Sequence, residues 1–363
     1  MELAASVRNS VRAVVAIMAA TLVVSCSDGD SGTTITVGAG NSAQSELIAE
    51  IYAGALARAG AHTTTRTGLG QRGDYLTALD AGTVQLVGDD SGDLLTALDS
   101  GSQARLPDKL AAAKVTGTAA PKANGNDAQG TGGKPPGSSG GNDAPGGDSA
   151  GVKAPDARGV ERVPDVADAV SRALPEGLAV SDIADGTDLR PAFVFSGAAS
   201  GRYPDSLKEL APRCGELTVG VATGSELDPL RRSPDPQRDV LEPLHTVYGC
   251  DITHHTVYPN DSALRKALQE GQIQAGVLTA PAALLPGGAG DLVPIADPDY
   301  AFRAQSVIPL YRKGTLTARQ LKKLNYVAGE LTTADLTDMV RALRDDHASA
   351  PDLARTWLDS HDL

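Results

Sequence analysis

Aromatic side chains make up only 3% of the 363 residues, with one Trp, three Phe and eight Tyr. A core of ordinary size must therefore be filled mainly by Ala, Val and Leu. Histidine is scarce too, at six. The one histidine cluster is His254-His255, and neighbours along a strand point to opposite faces, so a single metal ion cannot easily take both. The chain has no HExxH or GxxxxGK[ST] motif and no paired Cys ligands. GxSxG occurs only as Gly137-Ser138-Ser139-Gly140-Gly141 and Gly147-Asp148-Ser149-Ala150-Gly151, inside a Gly- and Pro-rich stretch that lacks the strand and helix patterns a nucleophile elbow needs. No catalytic group, cofactor or metal site is expected, and the chain does not read as an enzyme. Positive charge is in the minority, with 32 Lys and Arg against 45 Asp and Glu and a net charge of −13. That balance argues against nucleic acid or anionic lipid as the principal partner.

The N-terminus is organised differently from the rest. Arg8 and Arg12 precede an apolar stretch over 13–24. It is about 12 residues long, which suits the core of a signal peptide and falls short of the roughly 20 needed to span a membrane. The stretch runs into Val23-Val24-Ser25-Cys26, which resembles the lipobox of bacterial lipoproteins: an aliphatic residue, two small ones and the acylated cysteine. The resemblance implies cleavage after residue 25, lipid on Cys26 and residence on the outer face of a membrane. Residues 26–33, which include Ser27-Asp28-Gly29-Asp30-Ser31-Gly32, read as a flexible tether of about 15 Å reach. With Cys26 acylated, Cys214 and Cys250 remain as an even pair in an oxidising compartment, either bridged or as two buried thiols.

From residue 34 the pattern alternates between strand and helix. Thr34-Ile35-Thr36-Val37 alternates like a strand, and Asn41-Ser42-Ala43-Gln44 resembles a capping box. Leu47, Ile48, Ile51, Tyr52, Ala55 and Leu56 then recur at helical spacing. Strands over 62–66 and 83–87 and helices over 74–79 and 94–98 follow. Residues 115–159 are dominated by Gly, Pro, Ser, Asn and Asp and bury too little apolar surface to order, so they are expected to be a disordered insert. A second α/β region begins near 160. It has strands over 192–195, 217–221, 252–257 and 273–278 and helices over 239–248 and 263–270. A strand over 306–310 and helices over 318–329, 333–344 and 351–361 close the chain. Such alternation implies a mostly parallel, doubly wound sheet.

Several stretches, in order, resemble the glycine betaine/choline (osmoprotectant) substrate-binding proteins of ABC transporters. They are Ile35-Thr36-Val37-Gly38 with its following helix, Gly68-Leu69-Gly70-Gln71-Arg72, Leu86-Val87-Gly88-Asp89-Asp90-Ser91-Gly92 and Asp205-Ser206-Leu207-Lys208-Glu209-Leu210. Tyr248-Gly249-Cys250 and Ile308-Pro309-Leu310-Tyr311 continue the series. The resemblance implies a two-lobed, periplasmic-binding-protein-like (type II) clamp. Lobe one would hold 34–114 and the return over 305–363, and lobe two would hold 160–304. It also implies a monomer that captures a small solute by cleft closure and delivers it to an ABC permease.

Family members usually carry an aromatic where this chain has Asp90. Tyr203, Tyr258 and Tyr300 are the other candidates for an aromatic cage around a quaternary ammonium. With Asp90 at that position, a polar or cationic solute is expected, with betaine or choline as the family's example. Positions after strand C-termini nominate Asn41, Ser42, Gln44, Asp90 and Ser91 in lobe one, and Ser196 and Thr279 in lobe two, as ligand contacts. The competing reading is a degenerate binding-fold lipoprotein that serves as a sensor or envelope assembly factor without transport.

Overall fold

The computed structural model describes residues 34–107 and 165–363. The expected signal peptide, the expected tether at Cys26 and the expected insert over 115–159 lie outside the described residues. Among these, strand β1 (Ile35–Gly38) leads into helix α1 (Ala43–Arg58), followed by β2 (Thr63–Arg66), α2 (Arg72–Asp80), β3 (Leu86–Asp90) and α3 (Ser91–Leu98). Then come α4 (Val166–Ala173) and β4 (Leu178–Val180). The middle of the chain forms β5 (Ala192–Ser196), α5 (Gly197–Ser200), α6 (Leu207–Leu210), β6 (Thr218–Ala222), α7 (Glu242–Tyr248), β7 (His254–Tyr258), α8 (Asp261–Gln269), β8 (Ala275–Leu278) and β9 (Leu292–Pro294). Strand β10 (Val307–Arg312) precedes α9 (Ala318–Glu330), α10 (Thr333–Asp345) and α11 (Ala350–Ser360). No described helix is long and apolar enough to cross a membrane.

Two five-stranded sheets organise these elements, in the orders β2-β1-β3-β10-β4 and β7-β6-β8-β5-β9. The expected parallel pairings hold for β1 with β2 and β3, and for β6 with β7 and β8. Each sheet also takes one antiparallel strand inside it, β10 between β3 and β4 and β5 between β8 and β9. These two strands return from the opposite sheet and so run against their neighbours. One boundary moves: α4 and β4, expected in lobe two, belong to lobe one, because β4 pairs with β10. The chain crosses between lobes at 181–191 and 295–306. The two crossings are bonded side by side, Leu189 N–H to Gln305 O at 2.8 Å and Ala184 N–H to Val307 O at 2.9 Å.

Helix α1 buries Leu47, Ile48, Ile51, Tyr52, Ala55 and Leu56. It lies between β1–β3 and the three C-terminal helices, which explains apolar residues around most of its circumference. Lobe two concentrates its aromatics instead, with Phe193 and Phe195 buried and Tyr203 stacked on Phe195 at 4.9 Å between ring centroids. Cys214 and Cys250 are joined by a disulfide, with Cα atoms 5.3 Å apart. Gly249, which ends α7, has φ +69°, the left-handed conformation that glycine adopts without a Cβ clash.

Candidate functional site

The lobes meet where β1 and β3 end in lobe one and where β6 and β8 end in lobe two. Ser42 is the N-cap of α1, its hydroxyl accepting from Ser45 N–H at 3.1 Å and lying near enough to the Asp228 carboxylate of lobe two to favour its charged form. Gln44, the second residue of α1, donates Nε2–H to Asp90 Oδ1 at 2.9 Å. The second Asp90 oxygen accepts from Arg231 Nη2 of lobe two at 3.0 Å, with side chains only 3% and 6% exposed. Arg231 Nη1 donates to the Thr279 carbonyl at 3.0 Å. Its Nε is buried with no acceptor among the described residues. Backbones are close here as well: a Cβ on Gly40 would stand 2.9 Å from Leu230 Cδ1.

The paired carboxylates of β3 separate by environment. Asp89 accepts from Arg72 Nη2 at 2.9 Å, from Tyr75 O–H at 2.7 Å and from Asp90 N–H at 2.8 Å. Arg72 also donates to the Leu230 carbonyl at 3.1 Å and so stitches the lobes. Asp90 has fewer donors and is fully enclosed. Burial pushes its carboxyl up to about 7, Arg231 pulls it back, and the nearby Asp228, Asp93 and Asp89 charges add to the rise.

The nominated residues thus divide. Ser42, Gln44, Asp90 and Thr279 come together at the lobe junction. Asn41 sits beside them but is committed to the loop over 68–70, its Oδ1 accepting from Gly70 N–H at 3.2 Å. Ser91 faces the hinge, its hydroxyl accepting from Ser306 N–H at 3.1 Å. Thr279 is held by Asp261, which accepts from its N–H at 2.7 Å and its hydroxyl at 2.8 Å. Ser196 is misplaced by the sequence reading. Strand β5 runs antiparallel to β8, so its C-terminus, paired with Leu292 and one residue beyond the Phe195–Ala275 register, lies at the far end of the sheet from Thr279.

The expected aromatic cage does not assemble. Tyr203 is stacked in the lobe-two core, and Arg190 lies over the Tyr300 ring at 3.8 Å. Tyr258 packs against the core beside Gly220. Among the described residues no group of three or more His, Cys, Asp or Glu is placed to hold a metal ion.

Beside the junction opens an interlobe cavity of about 660 Å³. Asp93, Thr96 and Arg105 line it from lobe one, Val240, Leu278 and Thr279 from lobe two, and Phe302 and Arg303 from the hinge. Sequence reasoning missed Arg231 and Arg303, because neither follows a strand in an α/β repeat. Arg231 is in the long connection after β6 and Arg303 is in a crossing.

The family model for the substrate-binding domain of ABC-type glycine betaine transport systems matches residues 33–130 and 221–360. The chain belongs to this family. Its strand orders and double crossing are those of the type II periplasmic-binding-protein clamp. Solved structures agree on the fold. A glycine betaine/carnitine/choline ABC transporter protein is 14% identical, with 91% of this chain and 98% of that one covered and a TM-score of 0.60. Apo YehZ from Escherichia coli is 13% identical, with 90% and 98% covered, also at 0.60. No curated protein matches by sequence. Members of this family bind small solutes on the extracytoplasmic side and work with an ABC permease.

Proposed function

We propose that this protein is the solute-capturing subunit of an ABC importer, held at the membrane by lipid on Cys26. The observation that carries this reading is the interlobe cavity of about 660 Å³, set between two lobes that a double crossing joins. Its size lies in the range usual for small-molecule sites. Hinge motion at 181–191 and 295–306 would open and close it, and closure over a solute would present one compact face to the permease. A tether at Cys26 would keep the receptor near that permease. The test is a thermal-shift and calorimetric screen of small solutes on the mature chain, stabilisation rising with concentration as binding linkage requires. Loss of the membrane-associated pool in Cys26→Ser tests the anchor; an unchanged membrane fraction rules it out.

A second reading, a binding-fold lipoprotein acting as sensor or assembly factor, is favoured by one feature. Asp90, where the family resemblance implies an aromatic, is already engaged by the protein's own Arg231. A chain that binds no solute in the screen, yet is retained with envelope partners, would support it.

A further inference from the structure

We infer that the interlobe cavity takes a small organic anion, its carboxylate or phosphate held by Arg303 and Arg105 and its apolar part against Phe302, Val240 and Leu278. This deepens the solute-capture reading and rests on it. Five arginines line the cavity, namely Arg105, Arg231, Arg232, Arg238 and Arg303, in a chain whose net charge is −13. The carboxylates that line it are Asp93, Asp239 and Glu242. Asp239 is used by Arg232 and Arg238, both at 3.0 Å. Asp93 accepts from Gln305 through Oδ1 at 2.9 Å, while its buried Oδ2 has no hydrogen-bond partner among the described residues and stands 3.9 Å from Arg72. Glu242 is exposed at the start of α7.

Arg303 and Arg105 remain without an acidic partner among the described residues. Arg303 is half-buried and donates only to neutral oxygens, the Thr96 hydroxyl at 2.7 Å and the Ser102 carbonyl at 2.5 Å. Burial pushes its guanidinium down against the weaker pull of the Asp93, Asp239 and Asp99 charges, whereas Arg72, Arg190 and Arg231, each hydrogen-bonded to a carboxylate, are pushed up despite burial. The Arg105 carbonyl accepts from Ala304 N–H at 2.9 Å, so Arg105 and Arg303 belong to adjoining segments. The buried, unpartnered Nε of Arg231 adds a further donor in the lining.

Cation recognition has the opposite balance. Asp90 already holds Arg231, and the Tyr300 ring already holds Arg190. A quaternary ammonium would enter a cavity with surplus positive charge and a single ring, Phe302, among the described lining residues. A planar guanidinium fork suits carboxylate and phosphate oxygens.

Isothermal titration of the mature chain with succinate, benzoate and phenyl phosphate, against choline, glycine betaine and glucose, tests this. The carboxylate and phosphate arms distinguish the two head groups. An anion is expected to bind, more weakly in Arg303→Met and Arg105→Gln by roughly 10- to 100-fold, as for loss of a charged hydrogen bond. Arg105 is half-exposed, so its variant serves if Arg303→Met fails to fold, and circular dichroism checks both. Binding of choline, betaine or glucose with no anion bound would overturn the anion assignment and leave solute capture standing. Anion binding unaffected by either variant would overturn the assignment to this cavity. Binding of none of the six would overturn both.

Discussion

Replacing Asp90 with Asn distinguishes the two forces acting on that carboxyl. Burial raises it from its ordinary 3.8 to about 7, even with Arg231 at 3.0 Å. Between those values the folded protein retains a proton that the unfolded chain has released. Folded stability attributable to Asp90 is therefore fully present below about pH 4 and is lost as the pH rises through 7. At about 1.4 kcal/mol per pH unit the loss approaches 4 kcal/mol. Asn keeps the shape and the hydrogen bond with Gln44 but cannot ionise. The Asn Nδ2 cannot accept from Arg231 as Oδ2 does, a cost that is independent of pH, so relative to wild type Asp90→Asn should gain about 3–4 kcal/mol between pH 4 and pH 8. Urea denaturation of the ligand-free protein at pH 4, 5.5, 7 and 8 measures the difference, and other carboxylates cancel between the two proteins. If Asp90→Asn instead loses ground on wild type from pH 4 to pH 8, the Arg231 ion pair outweighs desolvation and the reasoning fails.

Three further outcomes follow from the packing. Reduction of Cys214–Cys250, which closes a 36-residue separation, should lower stability by about 4 kcal/mol in the chain-entropy model; an unchanged denaturation midpoint under reductant would contradict it. Gly40→Ala places a Cβ 2.9 Å from Leu230 Cδ1 and 3.0 Å from the Gly70 carbonyl, so a loss of about 1–3 kcal/mol is expected, together with a larger radius of gyration in small-angle scattering as the lobes are pressed apart. Asp261→Ala strips both acceptors from the buried Thr279 and should destabilise by about 1–3 kcal/mol, whereas Asp261→Asn should retain part of that in thermal melts.

Much of the architecture was legible one element at a time. The helix over 318–330 and the stop at Gly249 follow from apolar spacing and capping, which are local properties of the chain. The short α4 and β4 were not legible. Their strand has three residues and exists because β10 offers it an edge. The site divides in the same way. Ser42, Gln44 and Asp90 follow strand ends, and their place at the lobe junction was legible from sequence, since the loops there border the crevice in any open α/β sheet.

The sequence by itself determined the strand–helix alternation and the spare cysteine pair, because periodicity is written in consecutive residues, while the two-lobed plan came from its resemblance to the family. Tertiary structure alone decided which charges meet. Arg231 lies 141 positions from Asp90, and Arg303 lies 207 from its partner Thr96. Whether Asp90 awaits a cationic solute or already holds an internal one depends on how the lobes close over it. Coulomb and desolvation energies are set by separation in space, and separation along the chain carries no record of that.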